Sequence, residues 1–174
     1  MGDACPHFQN LIDTGFLDDC KKKAEDNGNK IIFFNAGVNG GGCGYKLTNY
    51  AIQNASGKYF IFYANDDVIL PNHMESYLSE IEKSNYDFMY YDSYLDPISS
   101  IRNVQLGYCQ IGHSELVVRT EFMKSITPHS DRYGHDWEII SEMMGKGLFK
   151  KGEVQNLTYR VMRLPNQGTK DKID

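Results

Sequence analysis

No pair among the four cysteines has C-x-x-C spacing, which excludes a zinc knuckle and a dithiol redox motif, so Cys5, Cys20, Cys43 and Cys109 read as free thiols. No apolar run approaches the roughly 20 residues that cross a bilayer, and no charged-then-apolar leader opens the chain. An intracellular, cytoplasmic protein without a membrane span is expected. Positive charge is also sparse: Lys21-Lys22-Lys23 and Lys150-Lys151 are short clusters expected on solvated faces, and the net charge is −5 with a pI near 5.5. Nothing in that pattern offers a basic face to nucleic acid. Internal repeats and low-complexity segments are absent as well. What remains is 174 residues with 41% apolar and 13% aromatic content, enough to bury one sizeable core, so residues 1–174 read as a single domain.

The apolar runs set the element order. Lys30-Ile31-Ile32-Phe33-Phe34-Asn35 and Tyr59-Phe60-Ile61-Phe62-Tyr63-Ala64 read as strands buried on both faces, as in a parallel sheet covered by helices. Between them Leu47, Tyr50, Ala51 and Ala55 share a helical face and Ser56-Gly57-Lys58 ends it, which predicts a strand-helix-strand unit with a right-handed crossover. Met74, Tyr77, Leu78 and Ile81 repeat at helical spacing behind Pro71, with Asn72 and Glu75 as a capping-box-like start. Asp87 to Tyr91 and Ser114 to Arg119 read as strands, and the polar stretch Asp96 to Gly107 as the loop between them. A last helix starts near Gly134 with the stripe Trp137, Ile140, Met143 and Met144, and Leu157 to Met162 adds a closing strand.

Asn65-Asp66-Asp67 follows the second apolar run directly. Carboxylates at the carboxyl end of a buried strand fall in the crevice where open α/β sheets bind ligands. Hard oxygen ligands there suit magnesium or manganese, whose other positions go to water and phosphate oxygens. The same letters also suit a plain turn before a Pro-initiated helix. Gly37, Gly40, Gly41, Gly42 and Gly44 allow either close backbone approach to a phosphate or a flexible turn, because neither G-x-G-x-x-G nor an ATPase loop can be placed on them.

Taken together, Asn39-Gly40, Asn49, Ala55-x-Gly57-Lys58-Tyr59, Asp66-Asp67 and Pro71 form an ordered set. This set resembles the central signature of family-2 glycosyltransferases of the GT-A fold. Tyr133-Gly134-His135-Asp136-Trp137-Glu138 is similar to the segment that carries that family's catalytic base, and the likeness runs through Thr158 to Arg163. The resemblance implies an α/β, Rossmann-like, mostly parallel sheet flanked by helices. It also implies a divalent metal (Mn2+ or Mg2+), a nucleotide-diphosphate sugar donor, a saccharide acceptor and inversion at the anomeric carbon. By position, Asp136 is the general base and Asp66 and Asp67 the metal ligands. Asp3, Asn39, Gly40, Lys46, Asn49, Asn65, Asp66, Arg160 and Arg163 fall on the donor side, and His113, His135 and Trp137 on the acceptor side. Two departures stand out: Ala64 replaces the first acid of the Asp-x-Asp motif, and Thr48 replaces a common Arg, for which Lys46 supplies a charge.

Against the family pattern the chain starts at the loop carrying Asp3, without the usual strand-helix-strand. A fold truncated at its N-terminus would leave sheet edges to be covered by an oligomeric partner or a second chain. Two other readings stay open: a non-catalytic nucleotide-sugar or glycan-binding remnant, and a nucleotidyltransferase working with similar acids. Tyr90, Tyr91 and Tyr94 are either sugar-stacking platforms or core.

Overall fold

The computed structural model describes residues 6–33, 45–63, 67–96, 100–127, 134–153 and 159–162. The chain divides into two compact units: Met1–Ala51 with Ser130–Tyr133, and Ile52–His129 with Gly134–Asp174. Among the described residues no helix is long and apolar enough to cross a membrane.

The secondary structure described in the first unit is helical. α1 (Pro6–Asp13) and α2 (Phe16–Asp26) meet at Gly15, whose φ of 73° is a left-handed value that glycine adopts without a Cβ penalty. α2 carries Asp18 and Asp19 in its first turn and Lys23 in its last, matching the sign of the helix dipole at each end. Leu17 is its buried residue. Residues 30–33 are in no strand, and Ile31 and Ile32 are exposed. The expected buried strand over Lys30–Asn35 is therefore not formed in its described part, and Phe34 and Asn35 lie outside the described residues.

α3 (Tyr45–Asn54) leads into the second unit, where Ile52 joins the core. One sheet has the order β1 (Tyr59–Phe60), β6 (Leu116–Arg119), β3 (Phe88–Tyr90) and β7 (Phe149–Lys151). The other has the order β2 (Val68–Ile69), β8 (Tyr159–Met162), β4 (Ser93–Asp96) and β5 (Ser100–Arg102). The α/β class is as expected, but the pairing is mixed rather than mostly parallel. β3–β7 and β4–β8 run parallel and the other four pairs antiparallel. β1 finds its partner in β6, with Tyr59 opposite Arg119, and residues 59–63 are half-buried rather than covered on both faces.

Three helices pack on this framework. α4 (His73–Glu82) buries His73, Tyr77 and Ile81, spaced i, i+4, i+8. The buried stripe is rotated from the expected one, so Met74 is 45% exposed. Asn72 makes no side-chain cap; the helix starts instead on backbone bonds from His73 to Leu70 and from Ser76 to Asn72. Its far end is closed by Arg119, whose guanidinium donates to the carbonyls of Ile81, Ser84 and Tyr86 at 2.8–3.1 Å, satisfying carbonyls that a helix end leaves bare.

α5 (Thr120–Lys124) and α6 (His135–Lys146) cover the main core of Phe88, Leu116, Val118, Met123, Ile139, Ile140 and Met143. Burying each of these side chains contributes roughly 1.5–3 kcal/mol before chain entropy is counted. A second cluster of Tyr77, Ile81, Met89, Tyr91 and Val117 sits beside α4, with Tyr91 stacked on Tyr77 at 3.8 Å. Tyr91 is thus core rather than a sugar platform. Lys151 does not sit on a solvated face as its cluster suggested. Its ammonium is held by Asp92 and Asn103, each at 2.7 Å, and by the Val104 carbonyl.

Candidate active site

The site grows from the start of α6. Gly134 caps this helix with φ 87° and ψ 10°, a left-handed turn that reverses the chain before the first helical residue. A Cβ there would also lie 2.8 Å from a ring carbon of Tyr108. The backbone amides of Trp137 and Glu138 donate to Gly134's carbonyl, and Asp136 and Glu138 fill the first turn, where the partial positive charge of the helix favours carboxylates. His135, Ile139, Ile140 and Met143 form the buried face. The Asp136 side chain stays 39% exposed. The N-cap residue of α6 is a glycine, which has no side chain to cap the helix.

Opposite it stands the turn His113–Glu115, which feeds β6. The imidazole of His113 lies with Nδ1 3.7 Å from Asp136 Oδ1, and His135 Nε2 lies 3.3 Å from the same oxygen. The two imidazoles meet edge to face at 5.4 Å. Phe62 stacks on His113 with centroids 4.4 Å apart, so the apolar run that leads to Asn65-Asp66-Asp67 reaches this cluster at Phe62.

Beneath His113 lies Glu115, 1% exposed. Its Oε1 accepts the Ser93 hydroxyl at 2.6 Å and sits 3.1 Å from the Arg102 guanidinium, and its Oε2 accepts the Gly112 amide at 2.9 Å. Burial pushes this carboxyl above its ordinary pKa, and the charge of Asp67 adds to the rise. Arg102, Ser93 and Gly112 pull the other way without cancelling it. The Asp67 carboxylate is a hard oxygen donor of the kind that a divalent cation takes.

The described residues bring together His113, His135 and Asp136 in the second unit, and Asp67 belongs to the same unit. Trp137 is half-buried there and packs against the main core. Lys46 and Asn49 stand three residues apart on α3, one exposed and one half-buried, in the first unit. Arg160 belongs to β8, opposite Val68 and Tyr94, and its side chain is not described. Asp3, Asn39, Gly40, Asn65, Asp66 and Arg163 lie outside the described residues. Sequence reasoning missed Glu115, Ser93, Arg102 and Phe62. A charged residue inside the otherwise apolar Leu116-Val117-Val118 neighbourhood was the available signal for Glu115.

No protein-family model matches the chain. Curated proteins that do match include uncharacterized glycosyltransferases of Rickettsia typhi and Rickettsia prowazekii. Each is 34% identical over 85 residues, covering 48% of this chain and 26% of the relative. One from Rickettsia bellii is 41% identical over 58 residues, 33% of this chain and 8% of its own length. The chain thus spans about a quarter or less of these relatives. Among solved structures, S. aureus TarS 1–349 in complex with UDP superposes with a TM-score of 0.68 at 16% identity, covering 87% of this chain and 48% of TarS. The same protein in complex with UDP-GlcNAc gives 0.65 at 14% identity, covering 86% and 46%. The chain therefore has the α/β fold of TarS and shares part of its sequence with rickettsial proteins named as glycosyltransferases.

Proposed function

We propose that this chain works as the catalytic domain of a metal-dependent, inverting family-2 glycosyltransferase. In this reading it is a cytoplasmic protein that moves a sugar from a nucleotide diphosphate to a saccharide hydroxyl. The observation that carries the reading is Asp136, a part-exposed carboxylate in the first turn of α6, held between two imidazoles in a chain with the TarS fold. A general base must reach the proton it removes and stay ionised at working pH. The part-exposed side chain of Asp136 meets the first need.

Asp136 takes the proton of the acceptor hydroxyl as that oxygen attacks the anomeric carbon. The nucleotide diphosphate leaves from the opposite side, so a single displacement inverts the centre. His113 and His135 orient the carboxylate, and Glu115 holds the turn that carries His113 through its bonds to Gly112 and Ser93. Asp66 and Asp67 would hold the divalent metal, which when bound supplies positive charge to the departing diphosphate. Arg160 and Arg163 add forked donors for phosphate, while Asp3, Asn39, Gly40, Lys46, Asn49 and Asn65 grip the nucleotide. Trp137 borders the acceptor.

Because TarS was solved with UDP and with UDP-GlcNAc, a uridine donor is the first to test. Purified protein incubated with UDP-GlcNAc, Mn2+ and a panel of saccharide acceptors should release UDP, and UDP with Mn2+ should raise the unfolding temperature. Failure of uridine, guanosine and thymidine diphosphates alike to shift unfolding, with or without Mn2+, would reject the reading.

A further inference from the structure

His113, His135 and Asp136 each offer one ligand atom, and the three atoms lie within 4.8 Å of one another. We infer that these residues form a second cation site, selective for a borderline transition-metal ion such as Zn2+ and separate from the hard-cation site at the acidic loop. A tetrahedral ion with bonds of about 2.0–2.1 Å to nitrogen and oxygen sets its ligands roughly 3.3 Å apart. The two histidine-to-Asp136 separations, 3.3 and 3.7 Å, already match this to within a few tenths of an ångström. The His113-to-His135 edge is no longer than 4.8 Å, and ion binding would draw the two rings together. With the Asp136 side chain 39% exposed and both histidines near 10%, the fourth position opens toward solvent, where a water completes the shell.

The donor set decides which metal binds. Two imidazoles and one carboxylate suit zinc, nickel or copper, whereas magnesium and manganese favour all-oxygen sites such as the acidic loop. Binding also dictates proton positions. Nε2 of His135 must be bare to ligate, so its proton moves to Nδ1, which is buried and has no hydrogen-bond partner among the described residues. Ligating imidazoles usually donate that second N–H to an acceptor, and lack of one costs roughly 10–100-fold in affinity. The site is therefore a moderate binder, filled and emptied with metal supply. Occupancy consumes the Asp136 lone pair, so an ion here and a base here exclude each other. That consequence alone rests on the sugar-transfer reading; the site itself does not.

Calorimetric titration of ZnCl2 into the full chain, in excess Mg2+ to fill oxygen sites, tests it. One Zn2+ should bind per chain. His135→Ala, His113→Ala and Asp136→Asn should each weaken binding at least tenfold, while Asp67→Asn leaves it unchanged. Asp136→Asn swaps a part-exposed group for an isostere, so it decides the matter if a histidine variant does not fold. No zinc heat in the wild type, or undiminished affinity in Asp136→Asn, would overturn the site. If zinc binds as expected but donor turnover is absent at every metal concentration, the site stands and the transferase reading falls.

Discussion

His135 Nε2 sits 3.3 Å from Oδ1 of Asp136, its neighbour in the chain. Adjacent helical residues do not normally face each other. Here the left-handed Gly134 and the first turn of α6 let the buried imidazole reach back to a carboxylate that still meets solvent.

Gly134→Ala tests that start. Alanine at φ 87° costs about 1–2 kcal/mol, and its Cβ would press on the Tyr108 ring at 2.8 Å. Thermal unfolding should fall accordingly. Adding Tyr108→Ser should recover only the steric part, since the backbone strain persists.

Glu115→Ala should destabilise by roughly 2–4 kcal/mol in urea unfolding, because it strips a partner from Arg102, the Ser93 hydroxyl and the Gly112 amide at once. Donor turnover should also drop, as the turn carrying His113 loses its tie. An unchanged midpoint would show that this network contributes nothing.

Glu142 predicts a pH effect. Burial raises its pKa, but the Lys146 ammonium and the Thr127 amide and hydroxyl outweigh it and bring the carboxyl down to about 2. A folded pKa below the unfolded value means that the stabilisation is full above about 4.5 and is lost as pH falls toward about 2. Glu142→Gln should lower stability at neutral pH by on the order of 1 kcal/mol, the pair being partly screened. It should also flatten the acid limb between those values.

How far the sequence could be read depends on where each signal lies. α4 and α6 were legible because helical spacing and a glycine or proline start survive in any context, whereas Asp136 was singled out by the family resemblance. The stripe of α4 was misplaced because buried His73 outcompetes Met74, a choice made by the packing of Tyr63 and Tyr77 around the imidazole. β5 was read as loop because it lies in the polar stretch Asp96 to Gly107, β4 was left unassigned, and β7 was missed because Lys150 and Lys151 look like a solvated pair. Glu115 needed the hairpin of β4 and β5, since Arg102 lies on β5 and Ser93 on β4. Its meaning was invisible without the sheet pairing.

The central claim is tested most directly by Asp136→Asn, measured as acceptor-dependent UDP release from UDP-GlcNAc in the presence of saccharide acceptors, alongside UDP affinity in the same preparation. A base worth its usual 10²–10⁴-fold predicts turnover lowered by at least a hundredfold with UDP affinity within a factor of about 2. Turnover within a few fold of wild type would contradict the account.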